Sequence, residues 1–405
     1  MSKQALSKLR VIEIGHALSA PFTAQLLGDF GAEIIKVERP AGGDLFRTVA
    51  APFPLDAKGN KLDSSGFLAA NRNKKSITVD ITKPAGQEVV RKLVQSADVV
   101  IENLKPGDLA RYSLDYENVK KLNPGIVYLS ISGFGQTGPY AKRGGLDGVF
   151  QYMSGLCSIT GEPDGPPQRV GFIVSDTITS LYTTVAIITA LYHRNQNGGP
   201  GQYIDMALLD AQIAALSHRA ESYLISGNVP MRSGNGTPAS FPSDLFRCAD
   251  GLLFISASPD AQYKRFCLAL GRPELLEDPR FNVRRLRYEN RKALTEAIEQ
   301  VLAGRGMKEW VDIFADANVI AAPIYNLGQT FADPHVQQRN VLVDVPHPVS
   351  ESGKVTLLRS PIRLSETPID YRAPPTMGQH NEEILGGLLG MDEATLKSLK
   401  DQKVV

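Results

Sequence analysis

Up to about Gly133, short runs of β-branched and aliphatic residues alternate with longer stretches in which apolar positions recur at helical spacing. The runs RVIEIG (Arg10 to Gly15), EIIKVE (Glu33 to Glu38), SITVD (Ser76 to Asp80), ADVVIE (Ala97 to Glu102) and IVYLSIS (Ile126 to Ser132) predict strands. Ala20 to Phe30, stopped by Gly31, and Pro84 to Ser96, opened by a proline suited to a first turn, predict helices. Strand and helix in alternation give an α/β domain with a mainly parallel sheet, whose ligands gather at the carboxyl ends of the strands.

From Gly133 to Pro167 the pattern gives way to Gly and Pro (GFGQTGPY, KRGG, TGEPDGPP), which predicts a long loop and a candidate site. Asp176 to Asn195 reads as a helix, and after NGGPGQ a second helix is expected from near Asp205 to about Ile225. A hairpin around Asp250 and Gly251 opens another unit, with helices over Pro259 to Leu270, Glu289 to Ala303 and Lys308 to Ala317. Beyond Val319 the chain is Pro-rich and strand-like through Ile362. A helix pair, Asn381 to Leu389 and Asp392 to Lys400, then returns to the first domain. The expected division is 1–200 for the large domain, 201–230 for a linking helix, 231–325 for the small domain, and 326–405 for the return.

Composition narrows the function classes. With 405 residues, 42% of them hydrophobic, the chain can fill a core divided between two domains. Lys plus Arg (44) nearly cancel Asp plus Glu (43), so no global field draws it to nucleic acid or an anionic membrane. Cys157, Cys248 and Cys267 are widely spaced without a CxxC pattern and suggest neither disulfides nor zinc. The start MSKQALSKLR has no apolar signal core, and no run reaches about 18 uninterrupted apolar residues, so a soluble cytoplasmic protein is expected. The first strand is followed by GHALSAP rather than GxGxxG, and no Walker A lysine motif occurs, which argues against nicotinamide and ATP sites.

Asp176 stands at the start of the long apolar stretch SDTITSLYTTVAIITALYHR. Spacing alone favours an ordinary helix cap worth about 1 kcal/mol. The chemical alternative is a nucleophilic carboxylate, kept ionised by the free N–H groups and dipole of the helix start.

Several separated segments then shift the balance: RVIEIGHALSAPFTAQLLGDFGAEIIKVERPAGGD, NRNKKSITVDI, DVVIENLKPGDLARYSLDYENVKKLNPGIVYLSISGFGQTGPY, SDTITSLY, GGPGQYIDMALLDAQ and PPTMGQHNEEIL. In this order they resemble the class III, formyl-CoA transferase-like (CaiB/BaiF) CoA-transferase family over nearly the whole chain. The resemblance implies that Asp176 is the nucleophile. It also implies that CoA is held by His16, Arg39, Lys74, Lys75, Asn103 and Arg111, whose cations suit a pyrophosphate and a 3′-phosphate. Gly234 and Gly236 fall where the family carries a mobile loop over the site, although a flexible linker fits them as well. A racemase branch of the family uses a His-Asp pair; here the pair is Leu146 and Asp147, and leucine carries no proton. Asp147 keeps a supporting role at the site.

The implied reaction moves CoA from an acyl-CoA to a carboxylic acid through a mixed anhydride and an aspartyl-CoA thioester, without a tightly bound cofactor or a metal. The general pattern is nearest to branches that use dicarboxylates, such as succinyl-CoA with glutarate. Formyl-CoA or carnitine-type transfer, racemisation and non-catalytic CoA binding are the alternatives. Arg219 is a candidate for a distal carboxylate, though a helix-surface position explains it too. The implied fold is a large doubly wound α/β domain built from both chain ends, a small α+β domain inserted between them, and two subunits interlocked as a ring-like homodimer.

Overall fold

The structure is a computed structural model that describes residues 4–237 and 239–405. The chain divides into two compact units. One takes the residues up to Leu156, Val170–Ile225 and Asn340–Val405, and the other takes Cys157–Arg169 and Ser226–Arg339.

The first unit is built on a six-stranded sheet of β1 (Arg10–Ile14), β2 (Glu33–Glu38), β3 (Lys74–Thr78), β4 (Val99–Glu102), β5 (Val127–Ser132) and β6 (Tyr203–Ala207). All neighbours are parallel, in the order β3-β2-β1-β4-β5-β6. Successive residues of a strand face opposite sides, so the aliphatic runs feed two cores. Val11, Ile34, Val99 and Leu129 pack with the helices Ser19–Asp29 and Val174–Asn197 on one face. Ile12, Ile35, Ile77 and Val100 pack with Pro84–Gln95 and the C-terminal Ile384, Leu385 and Leu399 on the other. Strand order reverses between β1 and β4, and a crevice opens at such a switch point, outside the carboxyl ends of the strands.

β3 lies at the edge of this sheet, and the GQHN stretch near the C-terminus covers it. Ser76 N–H donates to His380 Nδ1 at 3.1 Å, His380 N–H to Ser76 O at 2.9 Å, and Thr78 N–H to Asn381 Oδ1 at 2.9 Å. Gln379 Oε1 accepts from Thr376 N–H at 3.0 Å.

One expectation is corrected here. The stretch 201–230, expected as a linking helix, contains strand β6 and then two helices, Leu208–Ala215 and His218–Ser226, with the first unit running to Ile225. β6 is an edge strand with alternating exposure, so its polar positions conceal it in the sequence. The helix Val174–Asn197 is long and apolar enough to cross a membrane by length and composition. One of its faces, including Ser175, Thr179, Ser180, Thr183 and Ile187, is instead buried in the fold.

The second unit has an antiparallel sheet of β7 (Ser243–Cys248), β8 (Gly251–Ser256) and β9 (Ile320–Pro323). β7 and β8 form the expected hairpin. Helices Asp260–Ala269, Arg291–Leu302 and Met307–Asp316 pack on it through Phe246, Phe266, Ile298 and Phe314.

Candidate active site

The loop after β1 is held from beneath by a buried charge cluster. Lys36 Nζ lies 2.6 Å from Glu13, 2.7 Å from Asp44 and 3.0 Å from the carbonyl of Gly15. Burial opposes the charge on Lys36, but Glu13, Asp44 and Glu38 together raise its pKa well above the ordinary lysine range. Asp44 in turn accepts the N–H of Ala17 at 3.0 Å, which fixes that residue at φ 64°. From the end of β4, Asn103 closes the same loop: it accepts from His16 N–H at 3.0 Å and donates to His16 O at 2.9 Å. A Cβ on Gly15 would sit 2.7 Å from Ala20 Cβ and 2.9 Å from Asn103 Oδ1, so this close approach requires glycine.

Around the loop lies a cleft of ≈ 460 Å³ at the carboxyl ends of β1, β2 and β4 and beyond the end of β3, with His16, Arg39 and Arg111 in its wall. Arg39 is exposed, and among the described residues its guanidinium has no hydrogen-bond or ion-pair partner. Arg111 bonds to Asp108. Desolvation lowers the His16 pKa against an opposing pull from Asp44, so a neutral imidazole is favoured near pH 7. The cleft wall therefore carries one free and one paired guanidinium.

Lys74 and Lys75 are not brought to this cleft. Lys74 is wholly buried: its Nζ lies 2.7 Å from Glu13 and donates to Pro21 O at 2.7 Å and Asn71 Oδ1 at 2.8 Å. Burial pushes its pKa down to about 8, with Glu13 opposing. Lys75 pairs with Glu33 at 2.6 Å and Glu383 at 2.8 Å, and it lines a different cavity at the amino ends of β2 and β3. Both lysines open β3, two residues earlier than the expected strand start. Their charge is consumed by carboxylates that the sequence places far away.

Asp176 is not an N-cap. The helix begins at Val174 after Ile173, which makes no side-chain cap, and Asp176 is its third residue. The capping acceptor comes from elsewhere: Asp147 Oδ1 accepts Ser175 N–H at 2.9 Å, while its Oδ2 accepts from Gln151 at 2.7 Å. Gln151 is buried and also accepts from Val170 N–H at 2.9 Å, which sets the approach to the helix. The supporting role expected of Asp147 thus has a definite form, as the anchor of the helix start.

The helix start also fails to hold the pKa of Asp176 down as expected. Burial first, and the charge of Asp147 second, raise its pKa to about 6, against a smaller opposing pull from the hydroxyl and backbone N–H of Ser19. At pH 7 about nine-tenths of it is ionised. Hydroxyls join the two helices that meet here. Ser180 Oγ lies 2.9 Å from Ser19 O and 2.8 Å from Asp176 O, and Thr23 Oγ1 lies 2.7 Å from Thr183 Oγ1.

Leu146 precedes the helix Asp147–Met153 and is 80% exposed. Gly234 and Gly236 belong to the second unit. Gly234 has φ +60°, and a Cβ there would lie 2.8 Å from Glu162 Oε2. Gly234 N–H donates to Gly161 O at 3.0 Å. Arg219 is partly buried on the helix His218–Ser226, without a side-chain partner among the described residues. Sequence reasoning overlooked Ser19, Asp44 and Gln151. Only Ser19 left a local signal, as a small polar residue at a helix start, and such residues are common.

A family model described as CoA-transferase family III matches residues 6–381. A succinate–glutarate CoA-transferase from Agrobacterium fabrum is 42% identical, over 95% of this chain and 96% of its own length. A succinyl-CoA–D-citramalate CoA-transferase from Chloroflexus aurantiacus is 36% identical over 99% and 98%. Among solved structures, a CAIB/BAIF family protein from Brucella suis superimposes with a TM-score of 0.87 at 40% identity, covering 95% of this chain and all of that one. With a parallel sheet, a cleft at its switch point and a full-length match of this kind, the chain belongs to the family III CoA-transferases and is an enzyme of that class.

Proposed function

We propose that the protein transfers CoA from succinyl-CoA, or a closely similar acyl-CoA, to a second dicarboxylic acid, with Asp176 as the covalent nucleophile. The observation that carries this reading is the state of Asp176. It is a carboxylate at a helix start, mostly ionised at neutral pH, faced by a like charge and met by hydrogen-bond donors instead of a neutralising cation. The names of the relatives, which pair succinate or succinyl-CoA with glutarate or citramalate, support the substrate class.

In the first step an Asp176 oxygen attacks the donor thioester carbonyl, and the C–S bond breaks to give a mixed anhydride and CoA thiolate. The thiolate then attacks Asp176 Cγ and expels the donor as its carboxylate, leaving an aspartyl-CoA thioester. The acceptor carboxylate repeats both steps in reverse. No proton need change hands, so the site supplies position and oxyanion donors rather than a strong base. Arg39 and Arg111 hold the phosphates of CoA, and Asn103 acts by shaping the His16 loop. Gly234 and Gly236 are assigned to a segment that shields the anhydride from water.

Leu146 disfavours the racemase reading, because the side chain preceding Asp147 cannot exchange a proton. A second copy of the chain is proposed to cover the exposed apolar side of the Val174–Asn197 helix, where Leu181, Tyr182, Val185 and Tyr192 face outward. Light scattering of the purified protein is expected to give the mass of a dimer.

The test is to incubate the protein with a panel of acyl-CoAs, trap with hydroxylamine or borohydride, and locate the modified peptide by mass. A modification at Asp176 with the active donors is expected. Activity without any adduct there, or full activity in Asp176→Asn, refutes the assignment.

A further inference from the structure

We propose that Ser19 stabilises the negative charge that develops on the aspartyl carbonyl oxygen of Asp176, and that Asn103 fixes the direction of its hydroxyl. This rests on the reading of Asp176 as the nucleophile and deepens it. Ser19 is the first residue of its helix and is 3% exposed. Its backbone N–H is therefore among those a helix leaves without an internal acceptor. Its carbonyl is already committed, accepting from Thr23 at 2.7 Å and Ser180 at 2.9 Å. The Ser180 hydroxyl lies equally close to the carbonyl of Asp176, at 2.8 Å, so one side chain pins both residues.

The orientation of the hydroxyl follows from its other neighbour. Asn103 Nδ2 lies 3.3 Å from Ser19 Oγ. An amide nitrogen only donates, so Oγ accepts there and its own hydrogen must point elsewhere. The Ser180 bridge ties Ser19 to Asp176, whose carboxylate is the charge that Ser19 holds in its ionised form. Asn103 cannot turn over freely, because its oxygen is held by His16 N–H and its nitrogen also serves His16 O. The same amide that shapes the cleft loop thereby aims the hydroxyl at the reacting group.

In the ionised enzyme the two Ser19 donors act on a carboxylate whose charge is shared between two oxygens. When thiolate or acceptor attacks Asp176 Cγ, the π pair of the aspartyl C=O moves onto its oxygen and concentrates the charge there. As the tetrahedral adduct collapses, the C=O re-forms and either the carboxylate or the thiolate leaves. Donors preset in a buried site favour the concentrated charge over the shared one.

The experiment uses Ser19→Ala in the full-length chain, with succinyl-CoA and glutarate. The change removes the hydroxyl and leaves the backbone donor, so kcat is expected to fall roughly tenfold to a hundredfold. KM for the acyl-CoA should stay within about twofold. Because the hydroxyl holds the Asp176 pKa down, the acidic limb of the rate profile should move to higher pH. In an Asn103→Ala background the same change should cost less, since the hydroxyl there is no longer aimed. A folded Ser19→Ala protein with parental kcat and an unmoved acidic limb overturns the proposal. A fall in kcat matched by a rise in KM, with the limb unmoved, marks a structural role and overturns it too. An equal cost in both backgrounds overturns the part given to Asn103. Trapping separates the two claims. No adduct at Asp176 in the parent refutes the nucleophile itself, whereas equal rates of adduct formation and decay in parent and Ser19→Ala refute only the role of Ser19.

Discussion

Lys74 and Asp176 are both charges that burial pushes toward neutrality, one down to about 8 and the other up to about 6. Their surroundings answer that pressure in opposite ways. Lys74 meets a carboxylate at 2.7 Å and two further acceptors, whereas Asp176 faces another carboxylate and only neutral donors. A compensated charge holds the fold together. One that remains under-compensated is available for chemistry, at some expense in stability.

The largest expected effect follows from the compensated charge. Lys74→Ala leaves Glu13 facing Lys36 alone in the core and should lower stability by about 3–5 kcal/mol in denaturant titration. The KM for acyl-CoA of the remaining folded enzyme should stay unchanged. A stable variant with a raised KM would return Lys74 to the binding site.

Asp176→Asn should act in the opposite direction. A carboxyl whose folded pKa is raised adds stability below its unfolded value, and that contribution is lost as pH rises through the folded value near 6. At pH 7 the asparagine variant should therefore be more stable than the parent, by up to roughly 3 kcal/mol, while below pH 4 the two should melt together. Equal melting at both pH values would remove the strained carboxylate from the account.

Smaller effects test the exposed and supporting groups. Arg39→Ala should raise KM for acyl-CoA about tenfold or more, the worth of a charge-assisted phosphate contact, with no change in melting temperature. Its effect should weaken as salt is added. Asp147→Asn keeps an acceptor for Ser175 N–H but removes the like charge. The acidic limb of the rate profile should then move to lower pH, and a shift the other way would contradict the electrostatic role of Asp147.

The fold was legible where one physical signal decided the outcome. β2 lies at Glu33–Glu38, as expected from Ile34, Ile35 and Val37, and the helix Pro84–Gln95 ends one residue before its expected limit. β3 starts early because Lys74 and Lys75 read as loop residues until a buried partner and an edge ion pair are seen. β6 was hidden by the alternation of an edge strand. At the site, Asp176 came from resemblance, while its cap and its donors could not be read from neighbouring letters. Asp147 lies 28 positions from Ser175 in the chain, and Ser19 reaches Asp176 only through the packing of two helices joined by hydroxyls.

The central claim is covalent participation of Asp176, and oxygen transfer tests it most directly. When the acceptor carboxylate attacks the aspartyl thioester, one of its oxygens becomes the anhydride bridge. That oxygen stays on Asp176 when thiolate takes the acyl group. After turnover with succinyl-CoA and an acceptor labelled with heavy oxygen in its carboxylates, mass analysis of the peptide containing Asp176 should show heavy oxygen at that side chain. CoA transfer that proceeds while Asp176 remains unlabelled would contradict the account.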